Sequence, residues 1–384
     1  MKRGEAGAAA LVLDLPRTVC AAGSICTLAG ELEALGVRRP LLVTDKGIQA
    51  AGLVARLADA YGNANALAVF GDVTENPLFS DVDRGVALYQ QHSCDGVVAL
   101  GGGSVIDTAK FIALLACNTG HIADYAGKPG VAHKASAPLV AIPTTAGTGS
   151  EASHSAAIHP DASAPAVGMS SRHLIPRVAI LDPELTTGLP ARLAAATGID
   201  ALSHCIEGYL SDKDQPLGKA IALEGIARVA GALRRAVAEP ADLDARTDMM
   251  LAAYAGGVSI GMGLGPAHAV ALACSDQGFH HGVLSGIGLV ATLEATVAKV
   301  PERGAAVGDA FGLAPGASLA AAIADLMREL GLPATLAELG YAADGVQALA
   351  DAAQRSHFNI FAPAKPTSAE YAAMLAESLA VPVS

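Results

Sequence analysis

Residues 95–117, DGVVALGGGSVIDTAKFIALLAC, decide the fold of this chain. The segment 95–100, which is apolar from Gly96 onwards, predicts a buried strand. The apolar periodicity of 105–117 predicts a helix. Between them lies a turn of small residues: Gly101, Gly102, Gly103 and Ser104. Glycines at a strand-to-helix turn let phosphate groups approach the free N–H groups of the helix N-terminus. The turn is therefore a candidate phosphate-binding loop, with Ser104 as N-cap or phosphate donor. The alternative is a tight turn without a ligand.

Short apolar strands alternate with helical segments on both sides of this turn. Strands are predicted at 39–44, 66–70 and 138–143, and helices at 47–61 and 82–92. This alternation predicts an α/β nucleotide-binding domain, in which helices cover both faces of a parallel sheet.

The second half of the chain has a different character. After Leu185 the sequence is rich in alanine and leucine with helical periodicity, and no comparable strand-like run follows. Breaks are expected at Pro240, 261–266, Pro315 and Pro333. We predict an α/β dinucleotide-binding domain over 1–185 and an all-helical metal and catalytic domain over 186–384. A cleft between two such domains is a favoured place for a ligand.

The composition excludes several classes of protein. The 384 residues are 52% hydrophobic but only 16% charged, and the net charge of −12 offers no basic surface to nucleic acid. The apolar runs are too short to cross a bilayer. Residues 1–16 lack a convincing cleavage site, so we expect them to be part of the fold rather than a secretion signal. A cytoplasmic protein without membrane or nucleic-acid partners is expected.

Two further features lie where a dinucleotide would bind. Residues 143–151, PTTAGTGSE, follow a predicted strand and offer hydroxyls and glycines to a pyrophosphate or ribose. Asp45, at the end of the first strand, can bind a ribose 2′-OH and would repel a 2′-phosphate. The alternative for Asp45 is an N-cap of the following helix.

A candidate metal site begins with Asp200 and His204. They are four residues apart in a predicted helix, so both side chains lie on one helix face and can chelate a divalent ion. The alternative is a salt-linked or capping pair. Later segments add imidazoles at His268 and at the pair His280 and His281. A mixed nitrogen and oxygen set suits Fe²⁺ or Zn²⁺, whereas Mg²⁺ and Ca²⁺ prefer oxygen ligands.

Five stretches carry a family likeness, in the order VTDKG (43–47), NP (76–77), GGGSVIDTAK (101–110), PTTAGTGSE (143–151) and DPELT (182–186). Together they make the chain similar to the iron-containing (group III) alcohol dehydrogenase family over nearly its whole length. The resemblance implies a dehydroquinate synthase-like architecture, in which a Rossmann-like domain precedes an all-helical one. It also implies a homodimer acting on a small alcohol or aldehyde.

The same resemblance implies the site residues. The metal ligands would be Asp200, His204, His268 and His281, with His281 preferred to His280 because the family ligand directly precedes a glycine. Fe²⁺ is the implied metal, with Zn²⁺ as the alternative, and NAD(H) the implied cofactor, with NADP disfavoured by Asp45. The implied cofactor-binding residues are Asp45, Asn76, Gly101, Gly102, Gly103, Ser104, Asp107, Thr144, Thr145 and Thr148.

The chain departs from the family pattern around the substrate pocket. Leu272 stands where relatives have a histidine, Ala166 replaces a lysine, and residues 361–364 read FAPA instead of TNPR. The segment between the third and fourth ligands is also one residue shorter. The candidate pocket residues are His154, Leu272 and His280. Substrate choice therefore does not carry over from a typical member.

The predicted function is hydride transfer between NAD(H) and a short primary alcohol or its aldehyde. The context of Lys46 and the pair His280 and His281 resemble the 4-hydroxybutyrate dehydrogenase-like branch. The aldehyde can therefore carry an anionic tail, as in succinate semialdehyde or a phosphonate or sulfonate aldehyde. Two alternatives stay open: a glycerol-dehydrogenase-like zinc enzyme of the same superfamily, and a non-catalytic metal- or nucleotide-binding scaffold.

Overall fold

A parallel sheet organises the first half of the chain in the computed structural model, which describes residues 12–63, 67–128, 131, 133–342 and 345–380. The strands are β1 (Arg17–Cys20), β2 (Pro40–Val43), β3 (Ala68–Phe70), β4 (Gly96–Gly101), β5 (Leu139–Pro143), β6 (Ser155–Ile158), β7 (Val167–Ser170) and β8 (Val178–Leu181). Six of them form a parallel sheet in the order β1-β8-β5-β4-β2-β3, while β6 and β7 form an antiparallel hairpin.

Helices cover both faces of this sheet. They are α1 (Leu28–Ala34), α2 (Lys46–Ala50), α3 (Leu53–Tyr61), α4 (Phe79–Gln91) and α5 (Gly103–Cys117). Along β4, Val97 and Ala99 pack in the layer that contains α5, while Val98 and Leu100 pack in the layer that contains α1 and α3. Successive side chains of a strand point to opposite faces, so burial of both faces accounts for the continuous apolar run 96–100.

The second half is helical. Its helices are α6 (Ala191–Leu210), α7 (Pro216–Ala238), α8 (Leu243–Ile260), α9 (Pro266–Ala273), α10 (His281–Val297), α11 (Pro301–Phe311), α12 (Leu319–Glu329), α13 (Leu336–Leu339), α14 (Val346–Arg355) and α15 (Ser368–Leu379). The predicted α/β domain followed by a helical one is therefore confirmed. The division at residue 185 stays a prediction. In the described ranges, no helix combines the length and apolar character needed to cross a membrane.

Several predicted elements need correction. The prediction of a single helix over 47–61 is wrong, because Gly52 adopts a left-handed φ of 75° and separates α2 from α3. The helix predicted at 82–92 begins earlier, at Phe79, because the Asp81 carboxylate accepts the N–H of Leu78 at 3.1 Å. The strand predicted at 66–70 begins at Ala68 in the structure, and residue 66 lies outside the described residues. Residues 1–11, which were expected to be part of the fold, also lie outside them.

Candidate active site

Three helices bring the four predicted ligands together. Asp200 and His204 lie on α6, His268 on α9, and His281 is the first residue of α10. One ligand atom from each lies within 4.8 Å of the others. Oδ1 of Asp200 is 4.0 Å from Nε2 of His204 and 3.8 Å from Nε2 of His281. The cluster is buried except at His281, whose side chain is 52% exposed and marks the open side.

Glycines let α10 approach the other two helices. A Cβ on Gly282 would lie 2.2 Å from the carbonyl oxygen of Ala196 in α6, and one on Gly288 would lie 2.3 Å from that of Ala267 in α9. A side chain at either position would force α10 outward and separate His281 from the other ligands.

Two buried residues that the sequence analysis missed hold the ligands in place. Oε2 of Glu207 lies 2.5 Å from Nδ1 of His268, and the hydroxyl of Ser285 donates to Oδ1 of Asp200 at 2.9 Å. Glu207 follows His204 by three residues in α6, a spacing that places both near one helix face and was the available signal. Contacts of this kind orient the ligands of a metal site.

The donor set fits a divalent ion. Because Nδ1 of His268 faces Glu207, its other nitrogen, Nε2, is the atom left for a ligand. That buried atom has no hydrogen-bond partner among the residues that the structure describes. A buried polar atom without a partner is costly, and an ion at the cluster would remove that cost.

The electrostatics of the cluster also favour metal-binding protonation states. Burial alone would raise the pKa of the Asp200 carboxyl, but the three imidazoles and Ser285 outweigh it and lower the pKa to about 2. Burial lowers the pKa of His204 to about 4, against the opposing effect of Asp200. An ionised carboxylate and neutral imidazoles are the forms that bind metal ions.

The glycine-rich turn faces the threonine-rich segment. The N–H of Thr144 donates to the carbonyl oxygen of Gly101 at 3.0 Å. A Cβ on Gly103 would lie 2.6 Å from Cγ2 of Thr148, and one on Gly102 would lie 3.4 Å from Cγ2 of Thr145. These two segments therefore pack side by side at the carboxyl ends of β4 and β5, where open parallel sheets bind nucleotides.

Two predicted cofactor residues, Ser104 and Asp107, have partners within the protein. Gly102, not Ser104, is the N-cap of α5, so the capping role predicted for Ser104 is wrong; its hydroxyl donates to the carbonyl oxygen of Glu75. The exposed Asn76 follows directly. The Asp107 carboxylate accepts the N–H of Ala157 at 2.9 Å.

Asp45 does act as the N-cap that the sequence left open as its alternative. Its carboxylate accepts the N–H of Ile48 at 2.8 Å at the start of α2. The second oxygen of the carboxylate is still able to accept a ribose hydroxyl, so the two roles are compatible.

The predicted pocket residues His154, His280 and Leu272 differ in their burial and contacts. The His154 ring lies 3.6 Å from where a Cβ on Gly261 would be, and burial lowers its pKa to about 4. His280 is exposed and caps α10, with its Nδ1 accepting the N–H of Gly282 at 3.1 Å. Leu272 is half-buried near the end of α9. The ring of Phe358, which the sequence analysis did not single out, lies 5.6 Å from the ring of His268.

Comparisons with known proteins agree with this architecture. The family model for iron-containing alcohol dehydrogenase matches residues 16–183, and the C-terminal model of the Fe-containing alcohol dehydrogenase family matches 194–379. The chain is 40% identical to 4-hydroxybutyrate dehydrogenase of Cupriavidus necator over 371 residues, which cover 93% of this chain and 96% of the relative.

Two solved structures are similar over the whole chain. A 1,3-propanediol oxidoreductase has a TM-score of 0.91 at 30% identity and covers 96% of this chain and 100% of its own. Sulfoacetaldehyde reductase from Bifidobacterium kashiwanohense in complex with NAD⁺ has a TM-score of 0.89 at 29% identity and covers 97% and 98%. The fold and these matches define an oxidoreductase that acts on CH–OH groups. The chain belongs to the iron-containing alcohol dehydrogenase family, as its motifs predicted.

Proposed function

We propose that this protein is an NAD- and metal-dependent alcohol dehydrogenase that interconverts a short primary alcohol with an anionic tail and its aldehyde. The observation that carries the proposal is the cluster of Asp200, His204, His268 and His281, whose ligand atoms lie within 4.8 Å of one another. The buried Nε2 of His268, which has no hydrogen-bond partner among the described residues, supports metal binding at this cluster.

The cluster would hold Fe²⁺, with Zn²⁺ as the alternative, because three nitrogens and one oxygen suit either ion. When bound, the ion supplies a Lewis acid that polarises an alcohol or aldehyde oxygen, and NAD(H) accepts or donates the hydride. The chain's own contribution is to fix the four donors, to bury three of them away from water and to leave an open side at His281.

The glycine-rich turn and the threonine segment would hold NAD(H). The N–H groups at the start of α5 and the hydroxyls of Thr145 and Thr148 would bind the pyrophosphate. The Asp45 carboxylate would bind the adenosine ribose and disfavour a 2′-phosphate. Asn76 and Asp107 also belong to the proposed set. Oδ2 of Asp107 accepts the N–H of Ala157, and its Oδ1 has no hydrogen-bond partner among the described residues.

Two histidines, His154 and His280, would take part in transfer of the alcohol proton. His154 is neutral at physiological pH because burial lowers its pKa to about 4, so it offers a lone pair rather than a charge. In His280, Nδ1 is occupied by the N–H of Gly282, and Nε2 is the atom that can pass a proton to solvent.

An exposed lysine, Lys213, supports an anionic tail. The ammonium of Lys213 lies 5.5 Å from the centre of the Phe361 ring and donates to the carbonyl oxygen of Gly261 at 2.7 Å. The ring of Phe358, in the same segment as Phe361, packs against the ring of His268. The segment thus connects the ligand cluster with a positive charge, which suits a carboxylate, phosphonate or sulfonate.

The relatives support the same substrate class. One is named 4-hydroxybutyrate dehydrogenase and another sulfoacetaldehyde reductase, and both names describe compounds with an anionic tail. We therefore propose 4-hydroxybutyrate and succinate semialdehyde as the leading pair. A cytoplasmic homodimer stays a prediction.

The test is a panel of short aldehydes with neutral and anionic tails, in which butanal is matched in length to succinate semialdehyde. Purified protein is given NADH with butanal, succinate semialdehyde, phosphonoacetaldehyde or sulfoacetaldehyde, and the loss of NADH absorbance is measured. We expect kcat/KM to be highest for one of the three anionic aldehydes. A kcat/KM for butanal equal to or above those of the anionic aldehydes would contradict the anionic-tail proposal. No turnover of any of the four aldehydes would contradict the proposed dehydrogenase activity.

A further inference from the structure

The carboxylate of Glu207 accepts hydrogen bonds from the first residues of α9. Its Oε1 accepts the N–H of Ala267 at 2.7 Å, and its Oε2 accepts the N–H of His268 at 3.3 Å. The same Oε2 lies 2.5 Å from Nδ1 of His268. The side chains of Glu207 and His268 are 5% and 1% exposed, so water does not compete for these bonds.

The backbone is shaped to admit this carboxylate. Gly265 precedes α9, and a Cβ there would lie 2.7 Å from Oε1 of Glu207. Only glycine therefore lets the carboxylate reach the first N–H groups of the helix. These N–H groups are free at the start of α9 and take both carboxylate oxygens as acceptors.

The direction of the third bond follows from the other two. Both oxygens of Glu207 act as acceptors in those two bonds, so we assign Nδ1 of His268 as the donor of the third. In a neutral imidazole the lone pair then belongs to Nε2, which is buried and unpartnered among the described residues. That is the tautomer a metal ligand needs.

We infer that Glu207 is a positioning residue that fixes His268 as the Nδ1–H tautomer and aims Nε2 at the metal; this inference rests on the proposed function. Glu207 sits one turn beyond His204 on α6, so one helix supplies two ligands and orients a third from another helix. The position of α9 and the chemistry of His268 are thereby set by the same side chain.

The variant Glu207→Gln separates this role from simple packing. The carboxamide has the same shape, but in place of Oε2 it presents an N–H₂ group to Nδ1 of His268. That group favours the opposite tautomer, with the proton on Nε2, where it blocks the ligand position. If the amide flips instead, its N–H₂ meets the N–H of Ala267 and the helix cap is lost.

The first measurement uses the wild-type protein and does not depend on the variant folding. Metal-free protein labelled with ¹⁵N-histidine is studied by long-range ¹H–¹⁵N correlation, and the His268 signal is assigned with His268→Ala. We expect Nδ1 to be protonated and Nε2 to be unprotonated. A protonated Nε2 in the wild type would overturn the inference.

The second measurement is metal affinity by competition with a chromophoric chelator for Zn²⁺. We expect the Kd of Glu207→Gln to rise about 10- to 100-fold, as for other residues that orient a metal ligand. Glu31→Gln is the matched control, because Glu31 is also a buried carboxylate but pairs with Arg17 on α1 and β1. An unchanged Kd in Glu207→Gln would overturn the inference, whereas wild-type protein that binds no metal would overturn the proposed function instead.

Discussion

Ser285 on α10 donates a hydrogen bond of 2.9 Å to Oδ1 of Asp200 on α6. The same hydroxyl lies 3.1 Å from the carbonyl oxygen of His281. Ser285 therefore connects the carboxylate ligand to the helix that supplies the exposed imidazole, and it orients the carboxylate before any ion arrives.

Removal of this hydroxyl should weaken metal binding without unfolding the protein. In Ser285→Ala we expect the Kd for Zn²⁺ to rise about tenfold, because Asp200 loses a partner that orients its carboxylate. Chelator competition measures the change. Ser259→Ala is the matched control, since this buried hydroxyl donates to the carbonyl oxygen of Ala255 and contacts no ligand. The same Kd in both variants would argue against the role of Ser285.

Asp45 should decide between the two nicotinamide cofactors. In Asp45→Ala we expect the preference for NADH over NADPH to fall about tenfold, because the charge that repels a 2′-phosphate is gone. The kcat/KM values of both cofactors give the ratio. Loss of the N-cap should also cost about 1 kcal/mol of unfolding free energy. Asp242→Ala removes another aspartate cap, from the N–H of Ala245, and should leave the ratio unchanged.

Lys213 should matter only for charged substrates. In Lys213→Ala we expect KM for succinate semialdehyde to rise about three- to tenfold, the size of an exposed ion pair, while KM for butanal stays the same. Lys213→Arg should restore much of the loss. Lys219→Ala is the control, because its ammonium donates to the carbonyl oxygen of Ser211. An equal effect on both aldehydes would show that Lys213 acts through structure and not through charge.

Glu151 should make stability depend on pH. It is 2% exposed, and burial raises its pKa to about 7. Between its unfolded pKa and pH 7 the native state keeps a proton that the unfolded chain releases, so the wild type loses stability as pH rises through this window. Glu151→Gln avoids the loss. We expect the variant to be more stable than wild type by up to about 3 kcal/mol at pH 8, with little difference at pH 4.

Urea unfolding at the two pH values measures this difference. A difference of the same size at both would mean that Glu151 is ionised in the native protein throughout, contrary to the effect of its burial.

The parts of the fold that depend on local pattern were predictable. The run 96–100 is apolar because both faces of β4 are buried, and this pattern alone identifies a central parallel strand. The strands β1 and β8 have four residues each, and their pairing with one another is a contact between distant parts of the chain. Such short segments carry too little periodicity to be recognised without their partners.

The candidate site was likewise predictable only where its residues are close in sequence. Asp200 and His204 are one helical turn apart, so their proximity follows from sequence spacing. The approach of His268 and His281 depends on Gly282 and Gly288, which fit against neighbouring helices that the sequence does not reveal. Glu207 had a signal in its spacing from His204, but its real partner lies on α9.

Removal and return of the metal test the proposed metal site most directly. Protein stripped with a chelator should lose aldehyde-dependent NADH oxidation, and Fe²⁺ or Zn²⁺ should restore it in the wild type but not in His268→Ala. Full activity in the stripped protein, or restored activity in His268→Ala equal to that of the wild type, would contradict the proposal that Asp200, His204, His268 and His281 hold the catalytic metal.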